Sequence, residues 1–494
     1  MSIPEPSQIS DDPANTAPPE VLRPAALPAV IMPKAIGFDW PERPTGASLV
    51  ELLQNESRQL SPTILLNTLS RLLPALEEWH LQGAAVLAPW SLRLTGDTLN
   101  VWCAPGLGAT VAWPESMRRV SSHGPSADLF ALGFLLHRLA SGRWARDAKH
   151  AVIDAGILGG EWPPGTDLAI LASLHPDPSR RAQTAGDLLD RVSPFLGHEG
   201  RPRLDRGTRV QVADESVTGW MKARGRPDGD NEDASVWDWT SDGLVAAVLD
   251  GVSGTGDGGG RWASRELRRK LRAQWRDNVW DPHEALKGAV EAMSSPPMSV
   301  SPDSCTVGVI VQVTGTQVSW VCIGDCRLYL ARPRSHGMSV SRLSTEHSLR
   351  ASALRAGRKA TAADSQVVTS ALPQPQRVLS AGRADIFLGD VMLLMSDGAC
   401  RMPDDTEGID DWRFPDVLHE LLGEADQVHA PLLVSKLCRR ADELGGDDNA
   451  TALAVVCGPI PPAILNRPVR RRSVLGDEVA PLMQAADTSN HSRD

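Results

Sequence analysis

The chain has 494 residues, a net charge of −11 and an apolar content of 41%. Its length exceeds what one hydrophobic core usually supports, so we expect two or three domains. The acidic balance argues against a general nucleic-acid-binding protein, and no apolar run is long enough to span a bilayer, so neither nucleic acid nor a membrane is an expected partner. Seven irregularly spaced cysteines and an N-terminus without signal-peptide features predict a soluble, cytoplasmic protein.

The N-terminal half is predicted to be mainly α-helical. Residues 1–30 are rich in Pro, Ser, Asp and Ala and are expected to be disordered. Leucines at helical spacing follow Ser61, and a short hairpin with its turn around Gly96 comes next. Two more helices are predicted, one over Ser126 to Ala140 and one that Thr184 caps at its N-terminus.

Three segments of this half resemble the C-terminal lobe of a protein kinase: DLFALGFLLHRLASG (Asp128 to Gly142), LHPDPSRRAQTAGDLL (Leu174 to Leu189) and LEEWHLQG (Leu76 to Gly83). The catalytic parts do not match, because Leu87 to Trp90 stand where a kinase has His-Arg-Asp, and no Asp-Phe-Gly follows. Phosphoryl transfer needs a base and Mg²⁺ ligands at those places. The resemblance therefore implies a degenerate, catalytically inactive kinase-like domain over residues 31–196. The alternative is an unrelated α-helical domain.

After a polar, basic linker predicted at residues 197–206, the chain changes to strand patterns that continue to residue 457. Several apolar runs end abruptly at a carboxylate, which places that carboxylate at the end of a sheet. Any one of these residues alone is more often a turn residue. The set consists of Asp250-Gly251, Gly324-Asp325, Asp397-Gly398 and Asp448-Asn449, with Asn231-Glu232-Asp233 before another strand.

Carboxylates that converge on one end of a sheet repel each other unless a cation lies among them. Mg²⁺ and Mn²⁺ prefer oxygen ligands, and no Cys/His pattern with zinc spacing competes for the site. Two such ions about 3.5–4 Å apart can bridge a water and lower its pKa. The sequence therefore predicts a hydrolytic site with Mn²⁺ or Mg²⁺, for which a phosphate ester is the natural substrate.

Residues 207–457 resemble a metal-dependent protein phosphatase of the PPM (type 2C) family. The resemblance implies an α+β, four-layer α-β-β-α sandwich, so the chain as a whole is predicted to be multidomain, with a disordered tail over 458–494. It also implies a serine/threonine phosphatase that hydrolyses phosphoprotein monoesters by attack of a metal-bridging water. The matching segments are Asn231 to Ala234, Val248 to Gly254, Cys305-Thr306, Ile323 to Leu330, Leu393 to Gly398 and Gly446 to Thr451.

The same resemblance assigns metal-binding roles. Asp250 would bridge two metal ions, with Glu232 and the carbonyl of Gly251 completing one site. Asp397 and Asp448 would complete the other site, so Asp250 and Asp397 are the predicted catalytic residues.

Two further roles concern a third ion and the substrate phosphate. Asp325 would help to bind a third, weaker ion. The family's phosphate-binding arginine lies four residues before the glutamate, where this chain has Asp228. Arg226, two residues earlier, is the candidate replacement.

Two other interpretations compete with the phosphatase, and we discount the first. Gly254, Gly256 and Gly259 fit the G-x-G-x-x-G dinucleotide pattern, although the hairpin signals downstream do not suit repeated βαβ units. The chain could also be a non-catalytic phosphoprotein-binding scaffold, which the displaced arginine favours. The expected partners are a phosphorylated protein substrate and, as a second candidate, a partner kinase. The kinase-like half would recruit a partner or regulate access to the site.

Overall fold

The structure of the protein is a computed structural model. It describes residues 47–48, 62–81, 92–95, 98–101, 125–197, 204, 210–219, 231–241, 243–252, 258–334, 337–361, 364, 367–374, 377–400, 414–422, 428–444 and 448–458. The expected disordered segment 1–30, residues 459–494 of the expected tail and most of the expected linker 197–206 lie outside the described residues.

The N-terminal part of the described chain is mainly helical, as predicted. The first helix begins one residue after Ser61, and the predicted hairpin forms with Thr95 opposite Thr98. Thr184 caps the last helix of this part, since its hydroxyl oxygen accepts a hydrogen bond from the Asp187 N–H at 3.0 Å. The elements are α1 (Pro62–Leu81), α2 (Pro125–Ser141), α3 (Ala148–Leu158), α4 (Thr166–Leu174) and α5 (Ala185–Leu196), with β1 (Ala47–Ser48), β2 (Leu92–Thr95) and β3 (Thr98–Val101).

Residues 125–197 are called the helical region below. Its helices share one apolar core with α1, whose leucines at positions 69, 72, 73 and 76 are fully buried. Helices α3 and α4, which the sequence patterns did not predict, contribute fully buried residues to the same core. This core also contains Ala351 and Leu354 from the C-terminal half of the chain.

Residues 210–458 are called the sandwich region. Its strands are β4 (Val210–Val217), β5 (Ala234–Trp239), β6 (Gly243–Gly251), β7 (Thr306–Thr314), β8 (Gln317–Ile323), β9 (Arg327–Pro333), β10 (Met338–Arg342), β11 (Ser380–Asp385), β12 (Val391–Met395) and β13 (Ala450–Cys457). Its helices are α6 (Gly259–Arg276), α7 (Pro282–Glu291), α8 (Leu349–Arg355), α9 (Phe414–Leu422) and α10 (Ala430–Glu443).

Within the described residues, these strands form two antiparallel sheets of five strands each. Sheet A has the order β10-β9-β12-β13-β4, and sheet B has the order β11-β8-β7-β6-β5. The predicted hairpin between residues 307 and 323 is the β7–β8 pair, and the strand that carries Asp250 pairs antiparallel with β7. An antiparallel partner after α6 is not the βαβ unit that binds dinucleotides, so the topology contradicts the dinucleotide-binding interpretation.

Three apolar cores show the order of the layers. Residues such as Val309 and Leu394 fill the space between the two sheets. Leu267 of α6 belongs to a core on the outer face of sheet B, and Leu433 of α10 belongs to one on the outer face of sheet A. The layers therefore run helix, sheet, sheet, helix. Because two sheets stack face to face, their strand ends come together at one edge.

The helical region packs on the sandwich region through buried polar contacts. Asp167 on α4 accepts hydrogen bonds from the Ser341 hydroxyl at 2.7 Å and from the Arg342 N–H at 2.9 Å, both on strand β10. The Arg342 guanidinium in turn donates to the carbonyl of Gly156 at 2.9 Å. Phe195, near the end of α5, lies in the core between the two sheets. The two regions therefore share their interior.

A membrane-spanning helix would need a long, strongly apolar stretch. None of the helices in the described part of the chain combines the necessary length and hydropathy.

Candidate active site

The strand ends of sheet B bring the first acidic residues together. Strands β5 and β6 run antiparallel, and Ala234 at the start of β5 pairs with Leu249 near the end of β6. Glu232 and Asp233, which precede β5, therefore lie beside Asp250. The acidic residues precede β5 and end β6, so the antiparallel pairing of the two strands brings them to the same edge of the sheet.

Sheet A supplies two further carboxylates at the same edge. Strands β12 and β13 run antiparallel with Met395 opposite Ala452, so Asp397 and Asp448 both lie just beyond the paired residues. The Ser396 hydroxyl accepts a hydrogen bond from the Thr451 N–H at 3.0 Å and fixes this pair of strand ends.

Asp325 lies where the chain passes from one sheet to the other. Strand β8 of sheet B ends at Ile323, and strand β9 of sheet A begins at Arg327. Gly324, between them, has φ +80°, and a Cβ atom there would overlap the side chain of Val307. A glycine is required at this turn because other residues rarely adopt such a φ, and the turn places Asp325 between the two sheets.

We call Asp233, Asp250, Asp325, Asp397 and Asp448 the carboxylate cluster. Burial and the other four members raise the pKa of Asp250 well above its ordinary value, and Asp233 has the largest effect among the four. Burial together with Asp397 and Glu346 also raises the pKa of Asp325, against the opposing effect of Arg327. The carboxylates are thus close enough to penalise each other's ionisation, although they come from both sheets.

Cys326 lies within the same field. Its side chain is fully buried, and burial, followed by Asp250, Asp325, Asp233 and Asp397, raises the pKa of the thiol well above its usual range. A thiol that stays protonated is a poor nucleophile and a poor metal ligand. At this edge the candidate metal ligands are therefore the carboxylates and not the Cys326 thiol.

The backbone around Asp250 and Gly251 is held closely. The Thr306 hydroxyl donates to the Asp250 carbonyl at 2.6 Å, and the Ser264 hydroxyl donates to the Glu232 carbonyl at 2.5 Å. A Cβ atom on Gly251 would overlap the backbone of Gly260 in the first turn of α6. Glycine at this position lets helix α6 pack directly on the end of the strand.

The donor chemistry of the edge fits a hard divalent cation. Its side chains offer carboxylate oxygens, and their mutual repulsion is the kind that a bound cation relieves. Within the residues that the structure describes, however, no three His, Cys, Asp or Glu side chains are already grouped closely enough to hold an ion. The cluster thus has the charge and the ligand atoms for a metal site, and its side chains would have to converge further around an ion.

All of the predicted site residues except Arg226 lie in the described part of the chain. Asp250, Asp325, Asp397 and Asp448 lie within one electrostatic cluster, and Gly251 lies beside them at the end of β6. Glu232 is buried at the start of β5. Arg226 lies outside the described residues.

Sequence reasoning missed two neighbours of Asp250. Asp233 has the largest electrostatic effect on Asp250 of any single residue, and no role was predicted for it. No role was predicted for Cys326 either. A signal for Asp233 existed, because side chains alternate along a strand and adjacent acidic residues cannot both face the same side.

Comparisons with known proteins concern the C-terminal half of the chain. PppA of Pseudomonas aeruginosa, a regulatory component of its T6SS, is 25% identical with a TM-score of 0.37, over 50% of this chain and 96% of that chain. The serine/threonine phosphatase PstP/Ppp of Mycobacterium tuberculosis is 21% identical with a TM-score of 0.39, over 51% and 99%.

The catalytic domain of PstP in complex with two manganese ions is 19% identical with a TM-score of 0.39, over 50% of this chain and 97% of that one. No protein-family model and no curated protein matches the chain. At TM-scores below 0.5, these likenesses identify which half of the chain is similar and do not assign its activity.

Proposed function

We propose that the sandwich region is a metal-dependent phosphatase that hydrolyses phosphoserine and phosphothreonine in proteins. The observation that supports this most directly is the carboxylate cluster, in which four carboxylates drawn from two sheets raise the pKa of a fifth, Asp250. Such an arrangement is costly for a fold and is typical of a functional site. The motif resemblance to type 2C phosphatases gives the reaction class.

In this proposal, Asp250 would hold Mn²⁺ or Mg²⁺ together with Glu232, the Gly251 carbonyl, Asp397 and Asp448. Asp325 would contribute to a third ion. Ions bound there would supply a water with a lowered pKa and neutralise charge on the substrate phosphate. Asp250 and Asp397 are the catalytic residues in this scheme, and Arg226 is the proposed phosphate ligand.

The chain's own contribution would be to fix these groups before the substrate arrives. The hydrogen bond from Thr306 holds the carbonyl next to Gly251, and the hydrogen bond from Ser264 holds that of Glu232. The glycine contact between Gly251 and Gly260 locks helix α6 against the same strand end. Rigid support of this kind keeps catalytic groups in position.

The second candidate function is a phosphoprotein-binding scaffold without turnover. It is favoured by the displaced arginine, since Arg226 lies six residues before Glu232 where the family has four. The two candidates differ in one property: a scaffold needs no metal-dependent hydrolysis, although it can still bind a metal ion.

We propose further that the helical region is a degenerate kinase-like domain that regulates the site or recruits a partner. Two contacts support a regulatory route. Arg355 on α8 forms an ion pair with Glu161 at 2.6 Å, and Arg143 donates to the Leu354 carbonyl at 2.7 Å. Eight residues before Arg355, His347 accepts a hydrogen bond from the Gly324 N–H at 3.1 Å, next to Asp325.

The test is hydrolysis of p-nitrophenyl phosphate by the full-length protein with and without Mn²⁺. Asp397→Asn should lower Mn²⁺-dependent turnover about 100-fold or more, because it removes a charged ligand of the proposed site. Asp238→Asn is the matched control, since Asp238 is an exposed carboxylate on strand β5, outside the cluster. Mn²⁺ binding without any turnover in the wild-type protein would favour the scaffold instead.

A further inference from the structure

An open groove of ≈ 700 Å³ runs along the outer face of helix α6. The opposite face of the helix carries Leu267 and Leu271, which are fully buried against sheet B. Both ends of the helix contribute to the groove, through Gly258 and Arg276. We call it the arginine groove, because six arginines line it together with a single acidic residue, Glu266: Arg261, Arg265, Arg268, Arg269, Arg272 and Arg276.

The arginines follow the helical repeat. Arg261, Arg265, Arg268, Arg272 and Arg276 are separated by three or four residues, so they form one stripe along α6. Like charges at this spacing repel each other and destabilise a helix. A stripe of this length is therefore mildly unfavourable for the helix by itself, and a bound anion would relieve the repulsion.

The one acidic residue of the groove is already engaged. Glu266 accepts two hydrogen bonds from Arg269, at 2.7 and 2.8 Å, and lies 3.6 Å from the Lys270 ammonium. It also accepts a hydrogen bond from the Ser294 N–H at 3.2 Å. For Arg265, Arg272 and Arg276, the described part of the chain offers no ion-pair partner. The groove is thus strongly positive in a chain whose net charge is −11.

The groove begins beside the carboxylate cluster. A Cβ atom on Gly260 would lie only 2.7 Å from the backbone of Gly251, and Ser264 donates to the Glu232 carbonyl. Arg261 and Arg265 therefore lie within the first two turns of a helix that packs on the candidate site. From Arg261 to Arg276 the stripe extends about 22 Å, at 1.5 Å per residue, which matches about seven residues of extended peptide at ~3.3 Å each.

We propose that the arginine groove binds a segment rich in Asp and Glu that flanks the phosphorylated residue of the substrate protein, an inference that rests on the phosphatase function proposed above. Arginine guanidinium groups bind carboxylates through paired hydrogen bonds, which suits a row of acidic side chains. The shallow, open shape suits an extended peptide. A phosphoresidue at the carboxylate cluster would leave its acidic flank lying along α6.

Charge also argues for a peptide over a nucleic acid. The chain is acidic overall, and the cluster of five carboxylates lies at one end of the groove. A long nucleic acid would extend beyond the groove. Its phosphates would then come within a Debye length of the carboxylate cluster and of other acidic surface, which would repel them. A short acidic peptide can be confined to the groove itself and avoid that repulsion.

Binding is tested first, because it needs neither metal nor turnover. A fluorescent, unphosphorylated peptide with seven consecutive Asp and Glu residues, of the length estimated from the strand rise, is titrated with the full-length protein by anisotropy. The variants are Arg265→Glu with Arg272→Glu, and a control with Lys436→Glu and Arg439→Glu on α10, on the outer face of the other sheet. Retained melting temperatures would show that each variant folds.

We expect the α6 variant to bind the acidic peptide about tenfold more weakly or worse, and the α10 variant to bind it as the wild type does. With a phosphopeptide that carries an acidic flank as the substrate, the α6 variant should have a higher KM and therefore a lower kcat/KM. Its kcat/KM for p-nitrophenyl phosphate should stay unchanged. Equal peptide binding by the α6 variant and the wild type would overturn the proposal. Preference for a single-stranded oligonucleotide over the peptide would overturn it as well.

The same experiment separates this proposal from the proposed function. Loss of peptide binding in the α6 variant, in a protein that never hydrolyses p-nitrophenyl phosphate, would support the arginine groove and count against the phosphatase. Normal turnover with no peptide binding by the wild type would support the phosphatase and overturn the groove.

Discussion

Asp167 and Ser341 are 174 positions apart in the chain, yet the Ser341 hydroxyl donates a 2.7 Å hydrogen bond to the Asp167 carboxylate inside the protein. Asp167 is 2% exposed, and burial raises its pKa even though Arg342 and Ser341 donate hydrogen bonds to it. A buried carboxylate with two donors from another region is a specific connection between the two regions.

Removing that connection should destabilise the whole chain. Asp167→Ala leaves the Ser341 hydroxyl and the Arg342 N–H without this acceptor in a dry environment, so we expect a loss of about 2 kcal/mol in the free energy of unfolding. The measurement is urea unfolding of the full-length protein. Asp187→Ala in α5 is the control, because its ion pair with Arg191 is partly exposed and should contribute under about 1 kcal/mol. Similar small losses for both variants would contradict the expectation.

The same interface can be tested at a second point, where the backbone of Gly160 lies directly against that of Ser344. A Cβ atom on Gly160 would overlap the carbonyl of Ser344, and a backbone atom cannot move aside as a side chain can. Gly160→Ala should therefore cost about 1–3 kcal/mol, the usual range for overpacking. Gly197→Ala is the control with the same chemical change. No atom lies within 4 Å of a Cβ there, so it should change stability by less than about 0.5 kcal/mol. Thermal unfolding of both variants decides the point.

The carboxylate cluster predicts a trade-off between stability and activity. The pKa of Asp250 is raised by burial and by neighbouring carboxylates, so its ionised form destabilises the metal-free protein at neutral pH. Asp250→Asn should raise the melting temperature without metal, by an amount corresponding to about 1 kcal/mol or more. It should also abolish Mn²⁺-dependent hydrolysis.

Added Mn²⁺ provides the control for this prediction. The ion should raise the melting temperature of the wild type more than that of Asp250→Asn, because the variant lacks the carboxylate that the ion would neutralise. If Asp250→Asn were less stable than the wild type without metal, repulsion among the carboxylates would not be the dominant effect in the cluster.

His347 predicts a pH dependence of stability. Burial, with a smaller contribution from Arg355, lowers its pKa to about 4. Its Nδ1 accepts a hydrogen bond from the Gly324 N–H at 3.1 Å. Protonation of Nδ1 would remove this acceptor and place two N–H groups against each other. An unfolded histidine has a pKa of about 6.5. The contribution of neutral His347 is therefore fully present above pH 6.5 and is lost as the pH falls from about 6.5 towards 4.

The measurement compares the wild type with His347→Asn, whose amide oxygen can still accept from Gly324. Between about pH 6 and 4.5, the wild type should lose stability relative to the variant by about 1.4 kcal/mol per pH unit. Effects of other titrating groups are common to both proteins and cancel in the difference. A constant difference over this range would mean that His347 is not held neutral by the fold.

The sequence predicted the carboxylate edge well because its signals are local. An apolar run such as Leu244 to Leu249 that stops at Asp250-Gly251 already defines a strand and the end of that strand. The same local pattern located Asp325, Asp397 and Asp448. Which strand neighbours which could not be read from the chain, because pairing order depends on contacts between distant segments.

The interface between the helical and sandwich regions was not predicted, and the reason is physical. Ser341 and Arg342 are polar residues of a short strand, MSVSR, that reads as a surface segment. Hydrogen-bond partners at distant positions, Asp167 and Gly156, satisfy these polar groups in the interior, and no local pattern encodes such partners. The arginines of α6 recur every three or four positions in the sequence, whereas their closeness to the carboxylates is visible only in the structure.

Arg342 has a consequence for how the chain can be divided. It is 1% exposed, and its guanidinium donates to Gly156 from the helical region and to Ser344 and Glu346 from its own. A fragment cut at residue 207 would expose this cation together with the apolar surface under Ala351 and Leu354. We therefore expect the carboxylate edge to fold only together with the helical region, and a fragment that starts at the predicted linker to aggregate.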